Sequence, residues 1–298
     1  MIIIKFASAS ALALAGTFLW AQAPGSFITI DVPGAASTGS AVGRVRLKMN
    51  PQGQIVGGYS DTLGNEHGFL LSNGNFTTID YPGAVSTTLV DISPSGNTLL
   101  GIYQDTSLIL HGFLLSQGNL STIDVPGASL TVPPNGCGVG CGTQPLSLSP
   151  EGDIGGVFNT PSGHLHGFVL SRGIFTQIDF PGSSFTSVQA VSAGQILGVE
   201  ISGGLAHGYL LVNGAFTQLD VPGSVATAPI DINPEGSIVG EYFTPNGKNH
   251  GFKLQAGQFT TVDVPGAVFN FASGITPQGT IVGKYETPDG KFHGYELR

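Results

Sequence analysis

The chain has 298 residues, of which 41% are apolar and only 10% charged, with 46 Gly, 19 Pro and a formal net charge of −9. An acidic chain with no Lys/Arg cluster is a poor match for nucleic acid or an anionic membrane surface. Runs of helix formers are missing beyond the N-terminal segment, and with so much Gly and Pro the composition reads as all-β.

Residues 1–23 read as a secretory signal peptide. Lys5 precedes an apolar run from Phe6 to Trp20, and Ala21-Gln22-Ala23 supplies small residues for cleavage after Ala21 or Ala23. The run is short for a membrane span, although a short N-terminal anchor is the alternative. Residues 24–298 are then expected as one exported domain, secreted or periplasmic.

The stretch that organises the chain turns at Asn73-Gly74, flanked by runs rich in β-branched and aromatic residues. A two-residue type I′ hairpin pairs Leu71 with Phe76, Phe69 with Thr78, and His67 with Asp80. Phe69, Leu71 and Phe76 fall on one face of it, Leu70 and Ile79 on the other. The hairpin recurs. Its His returns as His67, His111, His166, His207, His250 and His293, each followed by Gly and then Phe or Tyr. The matching Asp returns as Asp31, Asp80, Asp124, Asp179, Asp220 and Asp263, each two residues before Pro-Gly. Between them lies a second hairpin, seen as Asn233-Pro-Glu-Gly-Ser-Ile-Val-Gly-Glu-Tyr242 and worn at Ser192 to Glu200.

Four short strands per unit predict a six-bladed β-propeller of four-stranded antiparallel blades. A β-solenoid is the alternative, but it would need end caps that the chain lacks. The innermost strand of each blade is the one ending at Pro-x-Gly, and the Asp strand is outermost. The last His strand, His293 to Leu297, meets the C-terminus without a downstream partner. Phe27-Ile-Thr-Ile-Asp31 is left over at the other end, and its pairing with the last strand would close the ring without an open edge.

The run Ile232-Asn-Pro-x-Gly-x-Ile-Val-Gly, followed by His-Gly-Phe-x-Leu and Asp-x-Pro-Gly, resembles the bacterial extracellular HAF repeats across the whole mature chain. Here Gly stands where that family's name has Ala. The resemblance implies export and repetition, and carries no activity with it.

Six His–Asp pairs could each be an acid–base dyad, but a catalytic site is normally singular, so a structural hydrogen bond is the expected role. The Gly after each His leaves room for a neighbouring chain. Ring positions this far apart cannot converge on a metal, and His164 adds no third ligand. Neither a metal nor a cofactor is expected. Cys137 and Cys141, in what reads as the only large insertion, are expected to form a disulfide that staples a rim loop. Three residues before each Pro-x-Gly stand Lys48, Asp91, Ser147, Ala190, Asp231 and Gly274. Lys48, Asp91, Ser147 and Asp231 are the channel candidates, the two Asp lying across the ring. The functional expectation is a monomeric, non-catalytic module binding a glycan or an extracellular protein at one rim. The alternative is a polysaccharide lyase or hydrolase with an axial site.

Overall fold

A computed structural model describes residues 2–3, 25–39, 46–132 and 141–298. Among these the regular structure is all strand, arranged as the predicted propeller. Blade 2 shows the pattern, from Ser86–Ile92 at the axis through Thr98–Gln104 and Leu110–Ser116 to Asn119–Ile123 outside. Blade 3 begins at Thr143–Leu148, blade 4 at Phe185–Ser192 and blade 5 at Ala226–Ile232. A single parallel bridge, Leu165 to Phe185, joins blades 3 and 4 into one sheet. Ile2–Ile3 runs parallel to Thr176 and Gln177 on the edge of blade 3.

The hairpins follow from their turns. Asn73, Gln117, Arg172, Asn213 and Ala256, each before a Gly, have φ between 49 and 52°, as type I′ turns require. Blade 4 also replaces Pro-x-Gly by Ala193-Gly194 (φ 49 and 75°) and its second loop by Gly203-Gly204. That is the reason its element looked worn. Phe69, Leu71 and Phe76 pack in one core cluster, while Leu70 and Ile79 pack in the next with Leu89 of blade 2.

Closure takes the predicted form. Phe27–Ile30 pairs antiparallel with Phe292–Leu297, Phe27 opposite Leu297 and Ile30 opposite Gly294, completing blade 6 with Phe269–Ile275 and Ile281–Glu286.

The expectation of a single insertion needs correction. In blade 1 the innermost strand is split into Ser37–Thr38 and Lys48–Met49. Thr38 pairs with Tyr59 as Thr87 pairs with Tyr103, and Lys48 pairs with Val56 as Asp91 pairs with Leu100. Six extra residues therefore interrupt this strand, a feature hidden because spacing was counted from His and no His precedes blade 1.

Each crossover is locked in a way the sequence did not announce. The backbone N–H after the rim Asp donates to a buried Thr hydroxyl on the next innermost strand. Val32 donates to Thr38, Tyr81 to Thr87, Val125 to Thr143, Phe180 to Thr186 and Val221 to Thr227, at 2.8–3.0 Å. Asn270 serves Val264 in the same way. Thr227→Val strands the Val221 N–H and is expected to cost about 1–3 kcal/mol in denaturant unfolding.

Candidate functional site

The propeller has two distinct ends. The crossover rim carries the blade-to-blade crossovers, the second-to-third-strand loops and the His–Asp pairs; the turn rim carries the tight turns. At the crossover rim each His Nδ1 donates to its Asp at 2.6–2.9 Å. In four blades the imidazole also stacks on a second-strand Tyr, with Tyr59–His67, Tyr103–His111, Tyr242–His250 and Tyr285–His293 centroids 5.0–5.1 Å apart. Phe158 takes this place in blade 3 and Glu200 in blade 4. At His67 partial burial works against the charged ring, but Asp80 and Asp61 outweigh it and raise the pKa. Asp80 is 44% exposed. Asp80→Asn is therefore expected to cost at most about 1 kcal/mol, read as a small drop in melting temperature. An unchanged value would refute a supporting role for the pair.

The four channel candidates line one axial cavity of about 100 Å³ at the turn rim, together with Ala190. Lys48 Nζ lies 2.6 Å from Asp231 Oδ1. Asp91 accepts the Ile92 N–H at 2.8 Å and the Leu148 N–H of blade 3 at 2.7 Å. Asp231 likewise accepts Ile275 N–H of blade 6 at 2.9 Å. Both carboxylates thus tie their own innermost strand to the next. Deeper in, Arg46 donates across the ring from blade 1 to the Gln189 side-chain oxygen of blade 4. Sequence reasoning missed Arg46, a single residue without repeat equivalents. Burial brings its pKa down to about 10 despite Asp231, Asp91 and Glu241. Its Nε and Nη1 have no partner among the described residues.

Asp91 gives this region a pH signature. Burial pushes its carboxyl from 3.8 up to about 6; Lys48 pulls it down and Asp231 pushes it back up. A raised carboxyl pKa means the folded chain holds this proton more tightly than the unfolded chain. Stability from this group is then full below about pH 4 and is lost as pH rises to about 6, by up to about 3 kcal/mol. Asp91→Asn does not titrate. It loses one backbone hydrogen bond at every pH, but should gain on the parent by up to ~3 kcal/mol between pH 4 and pH 7 in urea unfolding. A pH-independent difference would show that Asp91 is ordinarily ionised.

Between blades 3 and 4 the crossover rim opens into a larger cavity of about 480 Å³, lined by His164, His166, Asp179, Phe180, Phe185 and neighbouring backbone. Here Gln177 Nε2 donates to Asp179 at 2.7 Å and reaches His166 Nδ1 at 3.1 Å. Gln218 makes the same bond to Asp220 in blade 4. In blades 1 and 5 that strand position holds Thr78 and Thr261, bonded to the stacking Tyr59 and Tyr242. Where the Tyr is missing, a Gln braces the Asp instead. Glu200 is 1% exposed with Oε2 unpartnered among the described residues, and burial raises its pKa. Cys141 is buried beside the insertion, and Cys137 lies outside the described residues.

No family model matches the chain, and no curated protein matches it. Solved β-propellers do. The putative TolB from Agrobacterium tumefaciens is similar at 10% identity and TM-score 0.59, covering 84% of this chain and 88% of that one. A fungal lectin from Aleuria aurantia, described as a six-bladed β-propeller with a novel fucose recognition mode, matches at 11% identity and TM-score 0.56. That match covers 87% of this chain and 93% of the lectin. TolB from Acinetobacter baumannii matches at 12% identity and TM-score 0.55, covering 85% of this chain, which spans 63% of that protein's length. At such identities the likeness establishes the β-propeller fold alone.

Proposed function

We propose that this chain is an exported, non-catalytic propeller of the HAF-repeat type that binds a carbohydrate at its crossover rim. The observation that carries the reading is the cavity between blades 3 and 4. A sugar ring has an apolar C–H face and a rim of hydroxyls, so it needs an aromatic wall beside a few fixed polar groups. Phe180 and Phe185 supply the wall, and His164, His166 and Asp179 supply the polar groups. The fungal lectin is described as recognising fucose on a six-bladed β-propeller, which supports a sugar as the class to try first.

A lyase or hydrolase is less well supported. Glycoside hydrolysis ordinarily needs two carboxyl groups flanking the scissile bond. Among the described lining residues only Asp179 is a carboxylate, and it is already engaged by His166 and Gln177. The axial Asp91 and Asp231 are committed to backbone N–H groups and Lys48. Export rests on the leader's composition; among the described residues no helix is long and apolar enough to cross a membrane.

A glycan array on the mature protein, with assay for soluble products, tests the reading. Retention of a glycan without cleavage is expected, with binding at least about tenfold weaker in His164→Ala. Release of products would favour the enzyme, and no retention would overturn the proposal. The loop staple has its own check. Non-reducing mass spectrometry should find Cys137 joined to Cys141, and free thiols would rule the disulfide out.

A further inference from the structure

The two rims differ in more than their connections. Among the described residues, the exposed large apolar side chains carried by loops lie on the crossover rim. Leu63, Leu108 and Leu205 sit in or beside second-to-third-strand loops; Val85, Val225 and Val268 directly precede innermost strands, and Leu130 and Val132 lie in the crossover after blade 2. No turn-rim loop among the described residues carries one, and only Ile174 stands directly beside such a loop, after the Arg172-Gly173 turn. Leu120 and Ile174 lie on outermost strands.

Leu108 is the telling case. Its φ is 64°, in the left-handed region, at the loop position where blades 1, 3, 5 and 6 have Gly64, Gly163, Gly247 and Gly290. A side chain there costs about 1–2 kcal/mol relative to glycine. Leu108 is nevertheless 54% exposed, so its side chain gives little packing in return. Strain retained for an exposed apolar group points to a role outside the fold.

Charge chooses among the occupants. The crossover rim carries the ring Asp31, Asp80, Asp124, Asp179, Asp220 and Asp263, whose side chains are 25–44% exposed. Loop carboxylates such as Asp61, Asp105 and Asp289 add to it, and besides the ring His the Lys and Arg residues there, among the described residues, are Lys248 and Lys291. The turn rim is less acidic, with Glu151, Asp153, Glu235, Glu296, Asp91 and Asp231 against Arg172, Lys253, Arg298 and Lys48 among the described residues. A second copy would set two acidic faces against each other, and an anionic bilayer would be repelled.

We infer that the crossover rim, outside the sugar cavity, docks a cationic amphipathic segment of another protein: Lys or Arg against the Asp ring other than Asp179, apolar side chains against the Leu and Val residues. At the 3-to-4 crossover, beside that cavity, the place of Val85 is taken by Ser184. The two surfaces therefore occupy different sectors of one rim.

The test is fluorescence anisotropy of the mature protein with three labelled helical peptides: Lys/Leu amphipathic, Lys/Ser without apolar residues, and Glu/Leu amphipathic. The Lys/Leu peptide should bind at least about tenfold tighter than the other two and lose affinity in salt. Leu63→Ser with Leu108→Gly and Val268→Ser should weaken it about tenfold, while Ile174→Ser leaves it unchanged. Leu108→Gly alone should raise the melting temperature while lowering affinity, a pairing that misfolding cannot produce. Equal binding of Lys/Leu and Lys/Ser peptides, or an unaffected triple variant, would overturn the inference. So would concentration-dependent dimerisation of the parent that the triple variant abolishes.

Discussion

Removal of Gly25–Pro33 is expected to lower the unfolding free energy of the entire ring, not to fray one blade. The deleted strand supplies the outer edge of blade 6, and its loss exposes the backbone of Phe292–Leu297. Phe27 packs edge-on against Tyr295 at 5.3 Å, and Ile30 and Val32 are buried with Leu47 and Phe69 of blade 1. His293 loses Asp31, which sits 2.9 Å from its Nδ1. Losing the burial of Phe27, Ile30 and Val32, at about 1.5–3 kcal/mol each, removes a large share of the ~5–15 kcal/mol that holds a typical domain. The cost spreads because Ile30 and Val32 belong to the core between blades 6 and 1. Urea unfolding followed by far-UV dichroism should show one cooperative transition at a much lower midpoint. A truncated protein as stable as the parent would exclude the closure as an energetic element, although the strand pairs.

The features readable from sequence were those that recur. Six copies of His and Asp at matched offsets identify a hairpin that a single copy would leave ambiguous, and the leftover Phe27–Asp31 strand stands out only because five other copies are complete. Arg46 and Gln189 bridge the axis, but neither recurs at its position, so repetition cannot mark them. The Thr residues that lock the crossovers do recur, yet Thr is common in strands and its hydroxyl role is invisible without the fold. The cavity between blades 3 and 4 is a matter of shape; only His164, the one His outside the periodic set, hinted at that sector. Substitutions of the repeat residues gain their meaning only with the fold in view. Glu200 and Phe158 in place of Tyr, with Gln218 and Gln177 in place of Thr, mark blades 3 and 4 as the sector where the rim departs from its pattern.

Gly208→Ala should destabilise the propeller by at least about 3 kcal/mol, although it adds one methyl group. A Cβ at this position would meet the Leu219 carbonyl oxygen at 2.3 Å and Pro229 Cδ at 2.7 Å. The first atom belongs to the outermost strand of the same blade and the second to the innermost strand of the next, so neither can yield without parting a ladder or opening a blade interface. Four other glycines that follow a periodic His meet the same demand, with Leu89 against Gly68, Pro145 against Gly112, Val188 against Gly167 and Leu47 against Gly294. At Gly251 the near neighbour is Val262 of its own blade, so crowding by the outermost segment, by the next blade or by both accounts for Gly following every one of the six His. A double-mutant cycle separates the two clashes. Pro229→Ala removes the neighbour across the interface but not the Leu219 carbonyl, so it should recover part of the Gly208→Ala loss, giving a coupling of about 0.5–3 kcal/mol. A Gly208→Ala protein within about 1 kcal/mol of the parent would mean that the blades can shift apart freely at this contact. Additive effects in the cycle would instead place the whole cost within blade 4.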